Sequence, residues 1–154
     1  MASRSHDETS EQRERFAPEY VLDEQIGFLL RKAYQRHQTI FTDRMIGGLT
    51  ATQFSMLFRL VQMTGPISQN ALGRLVAMDA ATTKGVVSRL QAQGLVTTER
   101  DTEDKRRYML QSTAKGRALI QEALPVVMGI TEATLAPLTK RESETFLRLL
   151  AKLC

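Results

Sequence analysis

The stretch Asp79–Gly116, DAATTKGVVSRLQAQGLVTTERDTEDKRRYMLQSTAKG, decides the fold. Asp79 suits a helix N-cap, because its carboxylate can accept the unpaired N–H groups of the first turn. Thr83, Val86, Val87 and Leu90 recur at helical spacing and give one buried side. The opposite side carries Ala81, Thr82, Lys84, Gly85, Ser88 and Arg89, all small, polar or basic. Gly94 stops the helix, since it tolerates the positive φ of a helix end. Leu95–Arg100 alternates with β-branched residues and reads as a strand. Asp101–Arg107 is a charged turn, Tyr108–Gln111 returns as a second strand, and Thr113 caps the next helix. A helix with a small polar-basic face, followed by a hairpin tipped by Lys105-Arg106-Arg107, suits a DNA major groove and the minor groove beside it.

Outward from this stretch, the chain is helical. Residues 1–17 are polar, mixed in charge and nearly free of apolar content, and read as a disordered tail. A long helix is predicted from Asp23 to Met45, with Ile26, Leu29, Leu30, Ala33, His37, Ile40 and Phe41 on one stripe. Gly47-Gly48 breaks it. Thr50 with Gln53 forms a T-x-x-Q variant of the capping box. It opens a helix whose core face is Phe54, Leu57, Phe58, Leu60 and Val61, stopped by Gly65-Pro66. Ile67 pairs as a very short strand. Ser68 caps a third helix holding Leu72, Leu75 and Val76, and a turn at Ala77-Met78 leads to Asp79. Two short helices joined by a tight turn make a helix-turn-helix unit. After the hairpin, Thr113 to about Ala136 carries Ala114, Ala118, Leu119, Ala123, Val126, Val127 and Ile130 on one side, with Pro125 expected to kink or limit the helix. Leu138-Thr139 begins a last helix striped by Phe146, Leu147, Leu149, Leu150 and Leu153.

The fold class is therefore mainly α with a small β-hairpin wing. The reading assigns residues 50–116 to a winged helix-turn-helix DNA-binding lobe and 18–49 with 117–154 to a helical dimerisation region. The first and last helices are too apolar on one side to stand alone. Packing them together and against a second copy gives a C2 homodimer. It would offer two recognition helices to a palindromic operator in double-stranded DNA, about one helical turn apart.

Composition bounds the rest. The 154 residues suit one compact unit with extensions, and 42% hydrophobic with 25% charged residues is ordinary for a globular protein. No apolar run approaches the ~20 residues of a membrane span, and no signal-peptide core is seen, so a cytoplasmic protein is expected. Cys154 stands alone, without disulfide partner or metal-ligand spacing. The net charge of +4 is unevenly placed: residues 1–24 hold three Lys/Arg against seven Asp/Glu, and residues 50–116 hold nine against five. The basic excess around the reading head fits phosphate contacts, although many solvated surfaces are mildly basic. No metal cluster, phosphate-binding glycine loop or nucleophile–base pair emerges, so no enzyme, metal or cofactor is expected.

The run D-x-x-x-T-K-x-V-V-x-R-L-x-x-x-G-L-V, followed by R-D-x-x-D-K-R-R-x-x-L-x-x-T-x-x-G, resembles the MarR family of winged helix-turn-helix regulators, from Asp23 to the C-terminus. The resemblance implies a homodimer, with Arg106 as the wing arginine and Asp104 as the ion-pair partner that shapes the loop. Gln111-Ser112 departs from the commoner apolar-then-Leu ending before Thr113. The run FLLRKAYQRHQTIF, residues 28–41, resembles more narrowly the members that repress catabolism of aromatic or heteroaromatic acids, nicotinate degradation among them.

Each candidate residue has an ordinary reading beside the functional one. Lys105, Arg106 and Arg107 can be a solvated turn, or a basic tip drawn to the negative potential of a narrow minor groove. Asp104 can hold the Arg106 guanidinium or simply make a turn. Thr82, Lys84, Ser88 and Arg89 form a polar face of the kind any surface helix has, or contact bases and phosphates, with Arg89 the foremost. Ser68 and Gln69 either cap a helix or grip a phosphate there. His37 is a satisfied core histidine or part of an effector pocket. That pocket would comprise Arg31, Tyr34, His37, Phe41, Phe54, Phe58 and Arg59, whose cations would pair with a carboxylate while the rings cover an aromatic body. The expected function is a homodimeric regulator, most simply a repressor, released from its operator by a small aromatic or heteroaromatic acid. The alternatives are a DNA-binding protein without effector and a protein–protein module whose basic face meets an acidic partner.

Overall fold

In a computed structural model of the chain, residues 20–102, 104 and 107–154 are described. The predicted tail, 1–17, lies outside the described residues, as do Lys105 and Arg106. The chain divides into two compact units, one ending at Gln35 and the other covering Arg36–Cys154.

In the first unit a 3-10 turn, Leu22–Glu24, precedes the start of helix α1, Ile26–Arg44. The helix thus begins three residues after the predicted Asp23, at the first residue of the apolar stripe. Lys32 Nζ donates to Asp23 Oδ1 at 3.4 Å, tying the helix to the turn. The Arg31 guanidinium and the Lys32 ammonium both face the Phe28 ring, 5.1 and 5.2 Å from its centroid. Ile26, Leu29, Leu30 and Tyr34 are exposed.

The second unit holds the remainder of α1 and the elements α2 (Ala51–Gln62), β1 (Ile67–Ser68), α3 (Gln69–Leu75), α4 (Ala80–Ala92), β2 (Val96–Arg100), β3 (Tyr108–Ser112), α5 (Ala114–Leu135) and α6 (Lys140–Leu150). The strands form an antiparallel sheet in the order β1-β3-β2, with Ile67 opposite Leu110 and Val96 opposite Ser112. Ser112 belongs to the strand and is buried, so the second wing strand runs one residue beyond the predicted Gln111. The core is built from Met56, Leu57, Leu72, Leu90, Leu95, Leu110, Ile120 and Ile130, each at most 2% exposed. Burying an aliphatic side chain of this size contributes about 1.5–3 kcal/mol.

Local chemistry explains where the helices stop and start. The Thr50–Gln53 capping box forms in both directions. A second box, Thr139 with Glu142, opens α6. The end of α3 is a Schellman motif: Met78 N–H donates to Gly73 O at 2.9 Å and Ala77 N–H to Arg74 O at 3.3 Å. Ala77 takes the left-handed position usually held by glycine, at φ 53°. The same motif with Gly94, φ 71°, ends α4, where Leu95 N–H reaches Leu90 O at 2.9 Å.

Two expectations are corrected. Pro125 does not limit α5, which runs unbroken to Leu135. A proline removes one hydrogen bond, and the burial of Ile120, Ala123 and Ile130 around it outweighs that loss. Leu75, assigned to the core side of α3, is 49% exposed. Leu72 takes the buried position of this two-turn helix. Among the described residues, α5 is the one helix long and apolar enough by composition to cross a membrane. Its Ile120, Ala123 and Ile130 lie in the core, and charged Lys115, Arg117, Glu122 and Glu132 interrupt it.

Candidate nucleic-acid interface

Helix α4 is held by its inner side. Val86, Val87 and Leu90 are buried, and Thr83 donates its hydroxyl to Asp79 O at 2.8 Å. A Cβ on Gly73 would lie 2.7 Å from Thr83 Oγ1, so the absence of a side chain there lets α3 and α4 close on each other. The outer side is left to solvent: Thr82, Lys84, Ser88 and Arg89 are all exposed. The structure therefore brings the four predicted recognition residues onto one accessible face.

Asp79 sets the orientation of this helix. Its carboxylate accepts Thr82 N–H at 2.8 Å and the Thr82 hydroxyl at 2.7 Å. The Thr82 hydroxyl proton is thus committed to the cap, which leaves its oxygen lone pairs for a partner. These contacts hold the Asp79 carboxyl below its ordinary value of 3.8. A depressed folded-state pKa means a contribution present above the unfolded pKa and lost as pH falls through the folded one. The thermal midpoint should therefore drop on acidification below about pH 3.8. Asp79→Asn should flatten that acid limb, read by thermal melts from pH 2.5 to 7; an identical limb in the variant would take the cap out of the account.

The wing turn is organised by Asp101. Its Oδ2 lies 3.9 Å from Arg107 Nε, and its Oδ1 accepts Asp104 N–H at 3.4 Å. Asp101 N–H donates to Arg107 O at 3.0 Å, and Arg107 N–H donates to Asp104 O at 2.9 Å. Asp104 contributes both its backbone N–H and its carbonyl to this turn. Its predicted partner Arg106 lies outside the described residues, as does Lys105. At the other end of the hairpin Arg117 Nη1 donates to Ser112 O at 2.8 Å.

Between α3 and the wing root lies a cleft of about 420 Å³, lined by Ser68, Gln69, Asn70, Arg74, Arg107 and Tyr108. Three of the six were predicted; Asn70, Arg74 and Tyr108 were not. Ser68 itself is spent as a cap, its Oγ accepting Ala71 N–H at 3.3 Å. The signal that could have found the others is the strand Ile67–Ser68. By pairing Ser68 with Met109, it sets Tyr108 beside the start of α3.

Of the predicted effector residues, four come together in a row of rings. His37 and Phe41 have centroids 6.0 Å apart, Phe41 and Phe54 6.3 Å edge-on, and Phe54 and Phe58 5.7 Å stacked. Phe41 and Phe54 are buried, so this row is also part of the core. His37 Nδ1 lies 3.0 Å from Thr134 Oγ1, whose hydroxyl donates to Ile130 O at 2.8 Å. With that proton committed, Thr134 accepts, and Nδ1 carries the hydrogen. Arg36 Nη2 and Arg44 Nη1 donate to Ala133 O and Gly129 O, fixing this part of α1 along α5. Arg59 is not in the row; its Nη1 donates to Gln62 Oε1 at 3.2 Å. Arg31 and Tyr34 lie in the first unit, both exposed.

Short paired helices, an outward polar-basic recognition helix and a three-stranded wing together define a winged helix-turn-helix DNA-binding protein. Residues 47–107 match the MarR family. The chain is 39% identical over 135 residues to the HTH-type transcriptional repressor NicR of Pseudomonas putida, across 87% of this chain and 85% of that protein. Among solved structures, it is similar to a probable transcriptional regulator from Pseudomonas aeruginosa: TM-score 0.83, 47% identity, 87% of this chain and 100% of that one. It is also similar to Bordetella bronchiseptica BpsR, in a structure concerned with regulation of its DNA binding by 6-hydroxynicotinic acid. That match has a TM-score of 0.80 and 37% identity, over 87% of this chain and 96% of that one. The chain belongs to the MarR family: it is a DNA-binding transcriptional regulator, and its relatives are regulators rather than enzymes.

Proposed function

We propose that the protein is a cytoplasmic homodimeric repressor that grips a palindromic operator and releases it when a small aromatic or heteroaromatic acid binds. The observation that carries this reading is the α4 face, where Thr82, Lys84, Ser88 and Arg89 stand exposed beside the basic wing. In the major groove Arg89 serves a guanine or a phosphate, and Arg106, between the two wing strands in sequence, serves the minor groove. The helical segments flanking the lobe supply the dimer contacts. The last helix supports this, since Phe146, Leu147 and Leu149 leave its apolar side open, as does Leu153 in the turn after it.

The effector is placed at the row of rings. With Nδ1–H of His37 held by Thr134, Nε2 is the atom left to meet a ligand. The reported control of BpsR by 6-hydroxynicotinic acid supports an acid of this class. Such a ligand acts by binding one arrangement of the two recognition helices more tightly than the other. The test is a titration of palindromic against scrambled duplex at physiological salt, with and without aromatic acids. Preference for one palindrome, a steep salt slope and release by an acid are expected. Equal binding to both duplexes, or operator affinity untouched by every acid, would refute it. His37→Ala should weaken the acid's effect more than it weakens duplex binding; the opposite ranking would discard the ring row as the effector site.

A further inference from the structure

We propose that Arg74 and Tyr108, with Arg107, form a seat for one DNA backbone phosphate between the third helix and the root of the wing. The proposal rests on the duplex-binding reading and adds, in Arg74 and Tyr108, contacts that the recognition helix and wing tip do not include. The cleft of about 420 Å³ between these elements is lined by two guanidinium groups, a phenol, a hydroxyl and two carboxamides, with no carboxylate among the lining residues. This inventory is rich in donors, and arginine forks match the paired oxygens of a phosphate. Asn70 and Arg74 are four residues apart on α3 and so share one helix face. The β1–β3 pairing brings Tyr108 to that face from a point some forty residues along the chain. Asp101 lies at Arg107 Nε from the wing side, at 3.9 Å, which orients the guanidinium without closing a tight pair. Arg74 and Tyr108 are exposed, so neither is consumed by the core.

A phosphate seat contributes affinity and register, not sequence choice. Its place, between the helix that leads into the recognition helix and the root of the wing, suits backbone rather than bases. The test uses full-length protein, a duplex selected from a randomised palindromic library, and a scrambled duplex, titrated across a salt series. Arg74→Ala should weaken binding to both duplexes by similar factors and make the slope of log K against log salt shallower by about one unit per bound subunit. Arg74→Lys should retain most of the slope, and Tyr108→Phe should weaken both duplexes without changing it. A wild-type protein that binds with a steep slope, beside an Arg74→Ala variant of unchanged slope, overturns the seat alone. A loss confined to the selected duplex also overturns it, since that is the mark of a base contact. Wild-type protein that ignores both duplexes overturns the duplex reading and the seat together.

Discussion

Gly116→Ala should destabilise the fold by about 1–3 kcal/mol, against the direction that helix propensity alone would give. Gly116 is the third residue of α5, where alanine is favoured over glycine by up to ~1 kcal/mol. A Cβ there, however, would press into the Leu95 carbonyl oxygen far inside van der Waals contact, and lie 3.2 Å from Leu57 Cδ1. The carbonyl cannot retreat without cost, because it accepts Thr113 N–H at 3.0 Å, at the cap of the same helix. Moving it disturbs the start of β2 and the start of α5 together. The midpoint of thermal unfolding should fall, at about 2–4 °C per kcal/mol for a chain of this size. Gly129→Ala in the same helix is the internal comparison. A Cβ at that site meets nothing within 4 Å, so the ordinary gain in helix propensity should appear. Equal effects from the two substitutions would refute the close approach at Gly116.

Leu149→Asp should separate paired copies and lower affinity for a palindromic duplex by about 10²–10⁴-fold, the advantage of engaging two half-sites at once. The residue is 48% exposed and its neighbours Phe146 and Leu147 are 41% and 47% exposed, on a helix with no buried residue. A charge at that site costs the single copy little, yet in a shared interface it is a buried charge without a partner. Circular dichroism should show unchanged helix content while sedimentation shows a smaller species. A variant that unfolds, or that keeps both its mass and its duplex affinity, would contradict this use of α6.

The recognition helix was legible in the sequence because its signals are local. Asp79 and Thr82 are three residues apart, Gly94 supplies the left-handed end, and the inner face is written in Thr83, Val86, Val87 and Leu90. The cap Thr139–Glu142 was equally local, and only Thr139 was read. The end of α3 was harder. Its Schellman motif places Ala77, not glycine, in the left-handed position, so composition carries no sign of it. Leu75 followed the helical period but is the last residue of a seven-residue helix, where Leu72 takes the buried position. The cleft beside α3 was legible only in part: Ser68, Gln69 and Arg107 were singled out, and Asn70, Arg74 and Tyr108 were not. Arg74 and Tyr108 line one cleft because Ser68 pairs with Met109, and a two-residue strand, though read at Ile67, does not name its partner. The apolar side of α6 was legible as a stripe too apolar to stand alone, and it is exposed in the single chain; periodicity marks such a face without saying what covers it.

Sedimentation of the purified protein with a labelled palindromic duplex reads whether paired copies grip a symmetric site. Two copies should ride on each duplex, held by a complex that dissolves as salt rises and that a scrambled duplex does not form at physiological salt. A stable single copy that leaves every duplex untouched, even at low ionic strength, would contradict it.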